Sequence, residues 1–172
     1  PNGKNLQALA TCVREHLHVF SMFGFNDVGI FLDRVSCLQP PRALNEISMF
    51  KRSQRLSALL FAHALVTSVL CVDVPEEMTP LQKRGWPCFA RACAWLVKEC
   101  DGEDADWPRV LEIREGGSSV PSTKPPPPEL GAFESGGSLS AEVAGVAFAT
   151  DEERQLASEC YDRALADALG GA

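Results

Sequence analysis

The sequence contains no run of about 18 apolar residues, so no segment reads as a membrane-spanning helix. Its longest apolar stretch, Leu56 to Val72, is broken by Ser57, His63, Thr67 and Ser68. That stretch reads as a buried helix followed by a strand. Walker A, GxGxxG, GxSxG and HExxH patterns are all missing, which removes the usual signatures of phosphate-cradling loops, dinucleotide folds, serine hydrolases and zinc peptidases. There is no CxxC pair, and Cys88, Cys93 and Cys100 stand five and seven residues apart with no histidine nearby. A zinc site is not indicated. His16 and His18, two apart on one helix, face different ways and make no natural metal pair. Positive charge is scarce: 16 Lys and Arg against 23 Asp and Glu give a net −7 and a pI near 5.0. A nucleic-acid backbone or an anionic membrane is therefore a poor main partner. No internal repeat is visible.

What remains is a globular composition. The 172 residues suffice for one domain with a real core, and 45% hydrophobic against 23% charged is not the balance of a disordered chain. Seven cysteines are many, and an odd number. Cys12, Cys71, Cys93 and Cys160 sit inside apolar periodic segments, where a free thiol behaves as a small hydrophobe. They are expected to be buried and unpaired, which favours a reducing compartment; the localisation is otherwise open. The sequence begins at Pro1 without Met and reads as a fragment or processed product.

Helices and strands alternate along the chain. Residues 5–19 are expected to form a helix with Leu6, Leu9, Val13 and Leu17 on one stripe. Val28-Gly29-Ile30-Phe31-Leu32 reads as a fully apolar central strand ending at Asp33, and Pro40-Pro41 closes the next loop. Residues 44–64 form the longest helix, with Ile47, Phe50, Leu56, Leu59, Leu60 and His63 on or near its inner face and Glu46, Lys51, Arg52 and Arg55 outward. His63 reads as a hydrogen-bonded core residue. Thr67–Val72 is a second strand, residues 86–99 a third helix with Pro87 in its first turn, and Val110–Ile113 a third strand. From 116 to 150 the composition turns to Gly, Ser and Pro, including Pro125 to Pro128, which suits an extended linker over the surface. Residues 151–172 carry an amphipathic helix with Thr150 as N-cap and Glu153 three residues on.

This alternation predicts an α/β fold, a parallel sheet with helices on both faces. The stretches Asp33, Ser36-Cys37-Leu38-Gln39 and Arg84-Gly85-Trp86-Pro87-Cys88-Phe89, with Pro125 to Pro128, Phe133, Phe148, Asp151 and Tyr161 in the tail, carry a resemblance over nearly the whole chain. It resembles TIR and heterokaryon-incompatibility domains, and most of all TIR-like proteins of dinoflagellates and related protists. The resemblance implies a flavodoxin-like or TIR-like sheet with its first strand missing. It further implies a domain over 1–115, a linker over 116–150 and a terminal helix over 151–172. Two departures stand out. The family's Leu-Pro-Gln is here Leu38-Gln39-Pro40, and the helix glutamate of TIR-type NAD hydrolases is replaced by Ala90.

The candidate ligand or interaction residues are Asp33, Cys37, Gln39, Arg84 and Trp86. Asp33 at the carboxyl end of a strand stands where open α/β sheets bind ligands, or else caps its loop. Arg84 pairs with Asp33 or a partner, or is a solvated surface residue. Trp86 is a packing anchor or a ligand platform. Cys37 lacks a partner histidine for nucleophilic work. Ala90 has no oxygen to steady charge on a ribose, and Glu76, Glu77 and Glu99 are not obvious substitutes. No catalytic residue, cofactor or metal is assigned. The expected function is a non-catalytic TIR-like interaction or scaffold module, an accessory subunit with protein partners in a larger assembly or a homo-oligomer; the alternatives are an NAD-cleaving glycohydrolase and a nucleotide-sensing domain.

Overall fold

The computed structural model describes residues 3–32, 36–63, 65–72, 79–98, 110–114, 117–119, 121, 124–133 and 146–170. In chain order the elements are α1 (Lys4–Met22), α2 (Leu44–Phe61), β1 (Ser68–Cys71), a 3-10 turn at Leu81–Lys83, α3 (Gly85–Val97), β2 (Val110–Arg114), β3 (Gly117–Ser119) and α4 (Asp151–Gly170). The fold is mixed α/β. β1 and β2 run parallel, with Ser68 opposite Val110 and Cys71 opposite Ile113. Parallel neighbours need a crossover, and α3 lies within it. β3 adds to β2 in the antiparallel sense, Ser118 opposite Ile113.

Alternation along the strands loads both faces of this sheet. Leu70 and Val110 pack with Ala94 and Trp95 of α3, while Val69, Leu111 and Ile113 pack with Ala8, Leu9 and Cys12 of α1. Helices therefore cover both faces. The largest cluster among the described residues lies beyond α3, where α2, α4 and the segments 132–133 and 146–148 meet: Phe89, Cys93, Phe133, Tyr161 and Leu165 form its centre. Each such side chain removed from water contributes roughly 1.5–3 kcal/mol.

Local chemistry sets the helix ends. Thr150 Oγ1 accepts the Glu153 N–H at 3.1 Å, and Glu153 Oε2 reaches back to the Ala149 N–H at 3.3 Å. The Glu46 carboxylate accepts the Ala43 N–H ahead of α2 at 2.8 Å. At the other end of α2, Lys98 supplies the cation: its Nζ donates to the Phe61 carbonyl at 2.7 Å and to Ser68 Oγ at 2.5 Å. One fully buried ammonium thus ties the end of α2, the start of β1 and the end of α3.

Five expectations need correction. Val28–Leu32 is not a strand: the segment pairs with no described strand, and Ile30 and Phe31 are exposed. An apolar run becomes a strand only where another edge accepts its backbone hydrogen bonds. The sheet is mixed rather than wholly parallel, because β3 falls in the Gly-rich stretch read as linker. That stretch also does more than cover the surface, since Pro128, Ala132, Phe133 and Val146 are buried. Finally, α1 and α2 are rotated from the expected orientation. Cys12 and Phe20 are the buried side chains of α1, with Leu6 and Leu17 exposed, and α2 buries Ser57 and Ala58 while Leu56 and Leu59 face out. His63 is exposed, its Nδ1 accepting the Leu65 N–H at 3.1 Å.

Candidate functional site

The Arg-Gly-Trp-Pro sequence opens α3 against the segment 146–148. Arg84 pairs with Ala147 in a short parallel bridge. The Ala147 N–H donates to the Lys83 carbonyl at 3.0 Å, and the Gly85 N–H to the Ala147 carbonyl at 2.7 Å. The first orphan donor of the helix is thereby satisfied, and Pro87, two positions further in, has no N–H to lose. Gly85 is there for space. A Cβ on it would stand 2.6 Å from Cγ of the Phe148 ring, closer than side chains pack.

Around that contact the aromatic rings meet edge to face. Trp86 touches Phe89 and Phe148 at centroid distances of 5.3 and 6.0 Å, and Phe133 touches Phe89, Phe148 and Tyr161 at 6.2, 6.4 and 5.2 Å. Such pairs add about 0.5–1.5 kcal/mol each beyond the area they bury. Tyr161, fully buried, donates from its hydroxyl to the Pro128 carbonyl at 2.9 Å. Trp86 is thus a half-buried packing anchor, and Ala90, one turn further on, presents a methyl group.

The other candidates lie elsewhere. Cys37 and Gln39 are joined in the loop before α2, where Gln39 Nε2 donates to the Cys37 carbonyl at 2.8 Å. Asp33 lies outside the described residues, as do Glu76, Glu77 and Glu99. The structure therefore places Arg84 and Trp86 together at one helix start and Cys37 and Gln39 together in a separate loop.

A small cleft of about 30 Å³ opens between α3 and the polyproline run, lined by Gln82, Cys88, Arg91, Ala92, Trp95 and Pro125 to Pro128. It has room for roughly one or two waters, far below the hundreds of Å³ a cofactor needs. Arg91 Nε and Trp95 Nε1 are buried donors without a partner among the described residues. Cys12, Cys71, Cys93 and Cys160 are thiols, each with its pKa raised, chiefly by burial. Burial likewise raises the Tyr161 hydroxyl. Raised thiols are poor nucleophiles. Among the described residues no three His, Cys, Asp or Glu side chains are placed to hold a metal, and no helix is long and apolar enough to cross a membrane.

No family model matches the chain, and neither does any curated protein or solved structure.

The feature that sequence reasoning missed is the outer face of α2. Met49, Leu56 and Leu59 are 59%, 52% and 55% exposed, and with the exposed Arg52 they recur at steps of three, four and three. That spacing makes one stripe. A signal was present: α2 has more apolar residues than a single inward stripe holds.

Proposed function

We propose that this chain is a non-catalytic TIR-like interaction or scaffold module, an accessory subunit of a larger assembly. The observation that carries the reading is the outward stripe of α2. A helix that packs one face on α3 and α4 and leaves a second apolar face in water is built for a partner. The filled helix start supports it too. Phe148 and Phe133 occupy the ground around Gly85 and Trp86 where a ligand platform would need open space, and Ala90 supplies no carboxylate. The finer fold reading, a flavodoxin-like sheet lacking its first strand, is supported by the β1–α3–β2 unit with helices on both faces.

Two measurements test this. Isolated under mild conditions, the endogenous chain is expected in a species well above its own 18.6 kDa. The purified chain is expected to release no nicotinamide from NAD, because a missing transition-state contact typically removes 10²–10³-fold in rate. An Ala90→Glu variant run beside it asks whether the carboxylate alone was lacking. A monomer that turns over NAD at ordinary enzymatic rates would sink the proposal.

A further inference from the structure

We infer that the outer face of α2 takes an acidic amphipathic helix of a partner protein. This rests on the interaction reading above and names the chemistry of the partner. The argument begins with where charge lies. Residues 1–72 hold seven Lys and Arg against four Asp and Glu, whereas residues 73–172 hold nine against nineteen. An acidic chain thus has a basic N-terminal part, net +3 against −10, and α2 belongs to it.

On α2 the cations sit among the outward apolar side chains. Arg52 lies between Met49 and Leu56 on the stripe, and Arg55 is one turn before Leu59; both arginines are exposed. Lys51, on the α4 side, is 3.7 Å from Glu152, an exposed pair of little energetic weight. A helix laid along Met49, Leu56 and Leu59 buries its own apolar stripe by the i, i+3, i+7 spacing common to helix recognition. Arg52, within the stripe, and Arg55, at its edge toward α4, then face that helix, and carboxylates beside its apolar stripe are favoured.

A second copy of the chain fits poorly. Two α2 helices packed antiparallel about their midpoint bring Arg52 against its own copy, a like-charge contact. The long acidic helix, α4, shows Asp151, Glu152, Gln155, Glu159, Arg163 and Asp167 to solvent, with Leu169 its one large exposed apolar side chain. It has the charge but no apolar stripe to offer. The occupant needs both.

Fluorescence anisotropy of two labelled synthetic 18-residue helices, one Leu/Glu and one Leu/Lys with the same leucine stripe, tests this on the full chain. The Leu/Glu helix is expected to bind at least tenfold tighter and to weaken with salt. Leu56→Asp should weaken it a further tenfold, and Arg52→Glu should invert the preference between the two peptides. Both substitutions are at exposed positions, and unchanged thermal melts show that the fold is kept. Equal affinity for the two helices, no binding of either, or binding untouched by both variants overturns the inference. So does a concentration-dependent dimer that Leu56→Asp abolishes, or tighter binding to phosphatidylserine vesicles than to the Leu/Glu helix. If the endogenous assembly keeps both variants, this face is wrong while the interaction reading stands.

Discussion

At the scale of single residues, Gly85 and Lys98 decide most. Gly85 carries no special backbone angle; its role is to let the Phe148 ring lie on the start of α3. Gly85→Ala is expected to destabilise by about 1–3 kcal/mol, as overpacking does. Phe148→Leu should recover part of that loss, so urea melts of the two single variants and the double variant are expected to be non-additive. Additive losses would mean the ring is not what the glycine accommodates. Lys98 is a case of sign. Burial holds its amine at about 8, below the usual 10.5. Below pH 8 the ammonium is charged in folded and unfolded chains alike, and its burial costs stability; that cost is relieved as pH rises from 8 toward 10.5. The buried thiols act the other way above pH 9, because they stay protonated in the fold while the unfolded chain ionises. Comparison with Lys98→Met separates the two. The unfolding free energy of the unmodified protein, minus that of the variant, is expected to rise between pH 8 and 10.5 by up to about 1.4 kcal/mol per pH unit. Parallel curves would refute the buried ammonium. Nothing in the sequence marked Lys98, since its partners Phe61 and Ser68 lie 37 and 30 residues away.

Elements were legible where their bonds are local. The expected helices at 5–19, 44–64, 86–99 and 151–169 correspond to α1 through α4 with shifts of a few residues at the ends, and the strands 67–72 and 110–113 to β1 and β2. Thr150 was readable as a cap because its acceptor and the Glu153 N–H are three residues apart. Thr150→Ala is expected to cost about 1 kcal/mol in a thermal or urea melt, whereas a loss within error would mean water replaces the hydroxyl without penalty. The rotation of α2 was not legible. Leu56 and Leu59 suit an inward stripe as well as Ser57 and Ala58 do by periodicity alone. Which stripe turns inward depends on how closely α3 and α4 approach, and small residues at 57 and 58 permit a close contact.

For the whole molecule, four thiols were expected to be buried and unpaired; all four are free, but Cys71 and Cys160 are only half-buried, whereas Cys12 and Cys93 are buried. Both are expected to react with a maleimide only as the chain unfolds, so that mass-mapped labelling in a denaturant series tracks the unfolded fraction. Rapid modification in native buffer would contradict this packing. The sequence by itself determined the four helices, the parallel β1–α3–β2 unit and the Thr150 cap of α4, because helices and caps close bonds within a few residues and short apolar runs mark the strands. Tertiary structure alone decided three things. Val28–Leu32 pairs with no described strand, since a strand needs a neighbouring edge that no local pattern can supply. Phe148 comes back from a Gly-rich stretch to fill the start of α3. The second apolar stripe of α2 is left in water, because the neighbouring helices cover only one side of it.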